Sequence, residues 1–390
     1  MKKLTRLLLL LLALCILTGC AVRAEDQPSV QLLCLNIGKA DCMLLLWRDR
    51  AYLIDTGYWQ TYPALEAALA QYDIDHLNGV FLTHCHKDHA GGLMSLAASD
   101  IAVDEWYAPA IYFGIGESEH PAVLAAAQRG EKVSWLAAGD VIDCGGASLT
   151  VLGPLTCNAE NENNNSLVMK FDSPQGSILF TGDMKTEEED ELIAAGAFSA
   201  CDVLKAGHHG DNNATGEAML SLVRPKAALI LTNTQEEEDT PAKSTLKRLA
   251  AVNCAVYVSQ DYSDAMLLTL KDGAAAVEDI VWAGVPERTQ GIRLFLDASD
   301  DTLTLENASA AAVSLTGCLV FSSRGEETLD LPDITLEAGA RFIIGTKSTQ
   351  GSMDLRWDDK NVWSQKKRDM AILYDAYGRA VARTDNGLEE

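Results

Sequence analysis

The sequence predicts an α/β fold followed by an all-β unit, and three observations point there. Short apolar runs alternate with amphipathic helical stretches from residue 30 to about residue 270, the pattern of a layered α/β enzyme. Several apolar runs end in a residue of catalytic type: Asp55 after Leu53-Ile54, His84 after Val80-Phe81-Leu82-Thr83, Asp183 after Leu179-Phe180, and His208 after Val203-Leu204. Past Val285-Pro286-Glu287-Arg288-Thr289-Gln290-Gly291 the helical periodicity stops and only strand-length runs remain.

The elements follow in order. Residues 30–37, 43–47 and 52–54 read as strands, the last ending in Asp55-Thr56-Gly57. Residues 63–72 form a helix with Pro63 in its first turn and Leu65, Leu69 and Tyr72 on one face. A buried strand over 80–82 leads into a polar turn, and Gly91-Gly92 precedes a further helix. Strands are expected over 102–107, 132–135, 148–152, 167–171 and 177–180, with a helix over 121–128. The acid-rich run after Thr186 suits a helix start, where the dipole favours negative charge. A strand over 201–206, a helix over 214–223, a strand over 227–231, a helix over 242–250 and strands over 255–258 and 266–270 complete the unit. The second unit has strands over 292–296, 302–306, 318–322, 327–331, 341–344 and 370–374. The division is therefore a 1–19 leader, a 20–29 tether, a 30–284 α/β unit, a 285–291 linker and a 292–385 β unit.

The polar turn carries the chemistry. His84, His86, Asp88 and His89 fall within six positions and include three of the chain's seven histidines. Imidazole and carboxylate are the ligands of zinc and related divalent ions. Alternation along an extended turn lets His84 and His86 share one ion, and Asp88 and His89 serve a second. Asp183 is placed to bridge them, and His208 or His209 to complete the second site. His208, at the strand end, is the preferred ligand, with His209 facing substrate. Asp55, directly after a buried strand, and Asp41, in the first turn, are placed to orient the histidines. Two ions clamp the attacking and leaving oxygens of a displacement and make bound water hydroxide at neutral pH, so Asp88, Asp183 and His209 are the catalytic candidates. The ions expected are zinc, with manganese as the second choice.

Composition limits the partners. The net charge of −25 disfavours a broad surface for non-specific nucleic-acid binding and leaves a local basic groove open. Lys2, Lys3 and Arg6 precede an apolar stretch over 7–17, shorter than the roughly 20 residues of a membrane span. Of the ten cysteines, Cys34, Cys42, Cys85, Cys144, Cys157, Cys201, Cys254 and Cys318 are scattered singly, which favours buried thiols over a disulfide framework. Lys366-Lys367-Arg368 is a small basic cluster.

Three resemblances follow from these motifs. Leu17-Thr18-Gly19-Cys20 resembles a bacterial lipobox, which implies cleavage before Cys20, lipidation of its thiol and a protein anchored to the outer face of a membrane. His-x-His-x-Asp-His after a strand resembles the signature of the metallo-β-lactamase fold superfamily, which implies a four-layer αβ/βα sandwich. Residues 36–44, 53–57, 84–92, Asn164-Asn165-Ser166-Leu167-Val168, 180–183 and 205–210 resemble, in order, the extracellular hydrolase domain of ComEC and its secreted relatives. In that subfamily Asn165 and Ser166 stand where other members have a third histidine, and they are carried over as substrate-binding residues. This implies a phosphodiesterase or nuclease acting on extracellular DNA or nucleotides. The first turn here, Asn36-Ile37-Gly38-Lys39-Ala40-Asp41, departs from the usual Asp-Val-Gly-Gln-Gly-Asp.

The β unit is similar to the immunoglobulin-like lamin-tail domain through Leu303-x-Leu305-x-Asn307, Val313-x-Leu315-x-Gly317-x-Leu319, Leu355-x-Trp357, Val362-Trp363 and Ala371-x-Leu373-x-Asp375-x-x-Gly378. Such domains resemble binding modules. The alternatives are a non-catalytic surface binding protein working through this unit, or a hydrolase of another ester, a thioester or a lactone.

Overall fold

The computed structural model describes residues 28–388. The expected leader, Cys20 and the start of the tether lie outside the described residues. Among the described residues no helix is long and apolar enough to cross a membrane.

Two sheets form the α/β unit. The first has eight strands in the order Ala274–Ile280, Ala265–Lys271, Val30–Leu35, Met43–Trp47, Arg50–Ile54, Gly79–Phe81, Trp106–Pro109 and Val133–Leu136. It is antiparallel up to Arg50–Ile54 and parallel beyond it. The second has seven strands in the order Ala255–Val258, Ala227–Ile230, Val203–Lys205, Gly176–Phe180, Val168–Ser173, Ser148–Gly153 and Val141–Asp143. Its first four strands pair in parallel. The carboxyl ends of parallel strands gather loops from remote segments at one edge, and that is where Asp55, His84, Asp183 and His209 emerge.

The inner faces of the sheets make one core. Leu32, Cys34, Leu45 and Ile54 of the first sheet pack against Met169, Phe171, Ile178 and Phe180 of the second. Trp47 and Phe171 meet across the gap edge to face, with ring centroids 6.4 Å apart, and Phe171→Ala would cost about 3–5 kcal/mol. On the outer face of the first sheet lie the helices Tyr62–Gln71, Leu93–Ala98 and Pro121–Gln128, whose Leu65, Leu69, Leu96 and Ala125 join a second core. Thr186–Ala194, Glu217–Val223 and Lys243–Ala251 cover the other sheet through Leu192, Leu220 and Leu249. The result is the four-layer αβ/βα arrangement.

Ala274–Ile280, Val141–Asp143 and Ala380–Asp385 are strands beyond those expected, and one expected strand is divided. The 102–107 run is broken into Ala102–Val103, which pairs with His76–Leu77, and Trp106–Pro109 in the main sheet. Asp104 makes the break: its carboxylate accepts bonds from His76 Nε2 at 2.8 Å and Asn78 Nδ2 at 3.1 Å.

From Ile292 onward the chain is β-rich. Ile292–Asp297, Thr302–Asn307, Arg341–Gly345 and Leu355–Arg356 form one sheet. Thr328–Asp330, Leu319–Ser322, Met370–Tyr374 and Ala380–Asp385 form another. Leu303, Leu305 and Ile344 of the first meet Val320, Ala371 and Leu373 of the second, with Trp357 and Trp363 among them. All eight described cysteines are unpaired, and Cys157 is exposed.

Candidate metal centre

The histidine turn is held by the strand before it and the carboxylate beside it. Asp55 sits in the left-handed backbone region at φ 57°, which turns its carboxylate back toward the turn. Its Oδ1 accepts the Thr83 backbone N–H and its Oδ2 the Thr83 hydroxyl, each at 2.7 Å. The same Oδ2 takes the His89 Nδ1 proton at 2.7 Å, so His89 presents Nε2 inward. Lys87–Ala90 is a single helical turn. A Cβ on Gly91 would stand 2.6 Å from the Lys87 carbonyl and 2.7 Å from the Trp59 nitrogen, so only glycine fits where this turn meets the loop after Asp55.

Asp183 and His209 arrive from the second sheet. The Asp183 backbone N–H donates to the Ser166 hydroxyl at 3.0 Å. His209 Nδ1 donates to the Leu231 carbonyl at 2.7 Å, which again leaves Nε2 facing inward. The convergence is tight: His89 Nε2 is 3.3 Å from Asp183 Oδ1, and His209 Nε2 is 3.3 Å from Asp88 Oδ2 and 3.4 Å from Asp183 Oδ2. Two ligands of a tetrahedral zinc with bonds of about 2.0–2.1 Å lie roughly 3.3 Å apart. His89 Nε2, His209 Nε2 and Asp183 Oδ1 are buried and have no hydrogen-bond partner. Buried polar atoms are almost always satisfied, so this orphaned group, with Asp88, fits a divalent cation. His84 Nε2 lies 3.9 Å from Asp183 Oδ2, and His86 Nδ1 lies 2.9 Å from His84 Nε2. His86 is exposed, so the centre opens to solvent on its side.

The electrostatics call for positive charge. Burial alone would lower the pKa of His89 and His209. The carboxylate of Asp183, with Asp55 and Asp88 around His89 and with Asp88 and Asp41 around His209, outweighs it, raising His89 well above its ordinary value and His209 to about 9. Burial likewise opposes ionisation of Asp183 and Asp88, yet the two imidazoles hold both carboxyls below their ordinary range. His84 is pushed down by burial and by the neighbouring imidazoles. Bound cations would replace the protons on His89 and His209.

Position brings His209, and not the preferred His208, into the cluster with Asp88, His89 and Asp183. Both have left-handed backbones, φ 46° and 52°. His208 instead bonds Asn213 Oδ1 at 2.9 Å and Asn163 Nδ2 at 3.2 Å. Asn165 and Ser166, expected to touch substrate, are fully buried. Asn165 bonds the Asn158 backbone and Glu162, and Ser166 seats Asp183. Their polar atoms stabilise loops under the centre and do not line open space. Asp41 Oδ1 is 3.4 Å from His209 Nδ1, and Asp55 touches His89 and Thr83. Cys85 lies outside the cluster, beside Glu162.

Sequence reasoning missed Lys205. Its side chain is fully buried, with Nζ 2.5 Å from Asp41 Oδ2, 3.2 Å from the Gly182 carbonyl and 3.9 Å from Asp183 Oδ1. Burial disfavours its charge, but Asp41 and Asp183 more than offset that and raise its pKa. Lys205 therefore supplies the cation for the Asp41–Asp55 side of the cluster. The available signal was a lysine closing an apolar strand, directly before Ala206-Gly207-His208-His209.

Residues 36–234 match the metallo-beta-lactamase superfamily, and the chain belongs to that family. It carries the metallo-β-lactamase fold, and the relatives it matches are of the ComEC type. It is 29% identical over 204 residues to ComE operon protein 3 of Bacillus subtilis, covering 52% of this chain and 25% of that protein. It is 28% identical over 235 residues to Recombination protein 2 of Haemophilus influenzae, covering 59% and 28%. The match thus spans about a quarter of the length of these relatives. Among solved structures, the metallo-beta-lactamase fold protein YhfI of Bacillus subtilis aligns over 64% of this chain and 100% of its own, at 13% identity and a TM-score of 0.38.

Proposed function

We propose that the chain is a two-metal phosphodiesterase, held at the outer face of a membrane through Cys20, with a polynucleotide as its foremost substrate. The observation that carries the reading is the orphaned, buried trio of His89 Nε2, His209 Nε2 and Asp183 Oδ1 converging on Asp88. Asp88, His89 and His209 would hold one ion and His84 and His86 the other, with Asp183 between them. Two bound divalent ions, most simply zinc, supply Lewis-acid polarisation of a phosphoryl oxygen and a lowered pKa for water. The chain's own groups do the rest. Asp55 and the Leu231 carbonyl fix the tautomers of His89 and His209, and Ser166 fixes the Asp183 backbone. Asp88, whose side chain is 18% exposed, is the most exposed carboxylate of the group and would orient the reacting water. Relatives named for recombination and competence support DNA as the substrate class. The C-terminal β unit, similar to a lamin-tail domain, is the binding module.

The test is turnover of bis-p-nitrophenyl phosphate by the chain purified without chelator and supplied with zinc or manganese. Activity lost in Asp183→Asn supports the reading. A fully metallated chain without turnover moves it to other esters or to a binding role.

A further inference from the structure

We infer that the C-terminal β unit forms the second wall of the substrate cleft, with Arg324 and Lys367 making a subsite for phosphates that flank the bond being cleaved. The inference rests on the phosphodiesterase reading above.

A cleft of about 610 Å³ runs between the two units. On the α/β side it is lined by Lys39, Tyr58, Trp59 and Lys87, and on the β side by Phe321, Arg324 and Lys367 among others. Lys87 lies between His86 and Asp88, so the cleft reaches the exposed side of the histidine turn. Tyr58, three residues after Asp55, has its ring 6.3 Å from that of Phe321 of the β unit.

The two walls are held together by specific contacts. Arg383 pairs with Glu236 at 2.6 Å. Arg379 donates to the Pro286 carbonyl at 3.0 Å and lies 3.7 Å from Asp264. Gly378 approaches so closely that a Cβ there would meet the Thr61 backbone at 2.9 Å. The β unit is therefore seated beside the centre, not merely tethered to it.

Charge identifies the occupant. The chain as a whole carries −25, yet the cleft gathers lysines and arginines from both units. Its carboxylates are already engaged: Glu236 by Arg383, Glu237 by Lys39 at 3.5 Å, and Glu326 by Lys87. The exposed side chains of Arg324 and Lys367 make no ion pair or side-chain hydrogen bond among the described residues. Two unneutralised cations lining a cleft that reaches the histidine turn at Lys87 fit the backbone of a polyanion. Trp59, 45% exposed at the rim, adds a face on which a base can stack. A small diester reaches the ions without either cation, whereas a strand that continues past the scissile phosphate meets both.

The experiment compares the metal-loaded full chain with Arg324→Glu/Lys367→Glu. An exposed pair on the same unit but outside the cleft, Arg356→Glu/Lys360→Glu, controls for net charge. One readout is the ratio of kcat/KM for oligothymidylate to that for bis-p-nitrophenyl phosphate. The other is anisotropy of a short fluorescein-labelled oligothymidylate under salt titration. The cleft pair should lower the ratio at least about fivefold and flatten the salt slope by about 1.4, two phosphate contacts at roughly 0.7 each. The control pair should do neither. An unchanged ratio and slope in the cleft pair, or equal losses in both pairs, overturns the subsite. If the wild type turns over neither diester, the phosphodiesterase reading fails on its own, and the anisotropy comparison still decides whether the cleft binds the strand.

Discussion

Asp55 Oδ2 stands 2.7 Å from His89 Nδ1, and the same carboxylate holds both the backbone and the hydroxyl of Thr83. One residue thus fixes the tautomer of an inward-facing imidazole and the start of the turn that carries the other two. Outer partners of this kind change metal affinity by roughly 10–100-fold. Asp55→Asn should lose zinc affinity by that factor in a chelator competition while keeping its far-ultraviolet circular dichroism. Unchanged affinity would show that His89 needs no orienting carboxylate.

Zinc loading should release protons. His89 and His209 are both raised by the surrounding carboxylates, His209 to about 9, so His209 carries a proton at pH 7 that a metal must displace. Calorimetry in buffers of different ionisation enthalpy should show net proton release on zinc binding at pH 7. Affinity should rise with pH up to about 9 and fall as pH drops. No proton release would contradict this charge arrangement.

Lys205 is the cation that the buried carboxylates require before any metal arrives. Removing one partner of a buried pair leaves an uncompensated charge, at about 3–5 kcal/mol. Lys205→Met should lose that much in urea denaturation, and adding Asp41→Asn to the same chain should recover part of it. A loss under about 1 kcal/mol would mean that Asp41 finds another partner.

His120 gives a pH dependence away from the centre. Its ring is buried between Tyr112 and Trp135, centroids 4.7 and 5.0 Å away, and neither nitrogen has a partner. Burial lowers its pKa to about 4. The unfolded chain, with an ordinary histidine pKa near 6.5, therefore binds the proton first as pH falls. His120 contributes no penalty above about pH 6.5 and a growing one down to pH 4, reaching about 3 kcal/mol. The stability difference between wild type and His120→Phe should shift in favour of the variant by that amount over this window. A difference that stays flat would mean that the ring is solvated.

The hexad was legible because its spacing and its preceding apolar strand are both local features. So was the alternation that produces two sheets with helices outside: Val80-Phe81-Leu82 and Leu179-Phe180 carry their burial in their composition. His208 and His209 were not separable, because the choice depends on left-handed backbone angles at the two histidines themselves, and the flanking Gly207 and Gly210 do not say which ring turns inward. Asn165 and Ser166 follow the order of the motif, but order does not say that their polar atoms are consumed by Asn158, Glu162 and the Asp183 backbone. Lys205 sat in plain view in an apolar strand, but its partner Asp41 lies 164 positions earlier, and pairings across that distance are fixed only by the packed sheets. The cleft is of the same kind, since Arg324 and Lys367 share it with Lys87 only through the seating of one unit on the other.

The most direct test of the metal centre is elemental analysis of three chains purified without chelator: wild type, His209→Ala and His208→Ala. The geometry predicts two metals per wild-type chain, loss of about one in His209→Ala, and retention of both in His208→Ala. Full metal content in His209→Ala with loss in His208→Ala would contradict the centre described here.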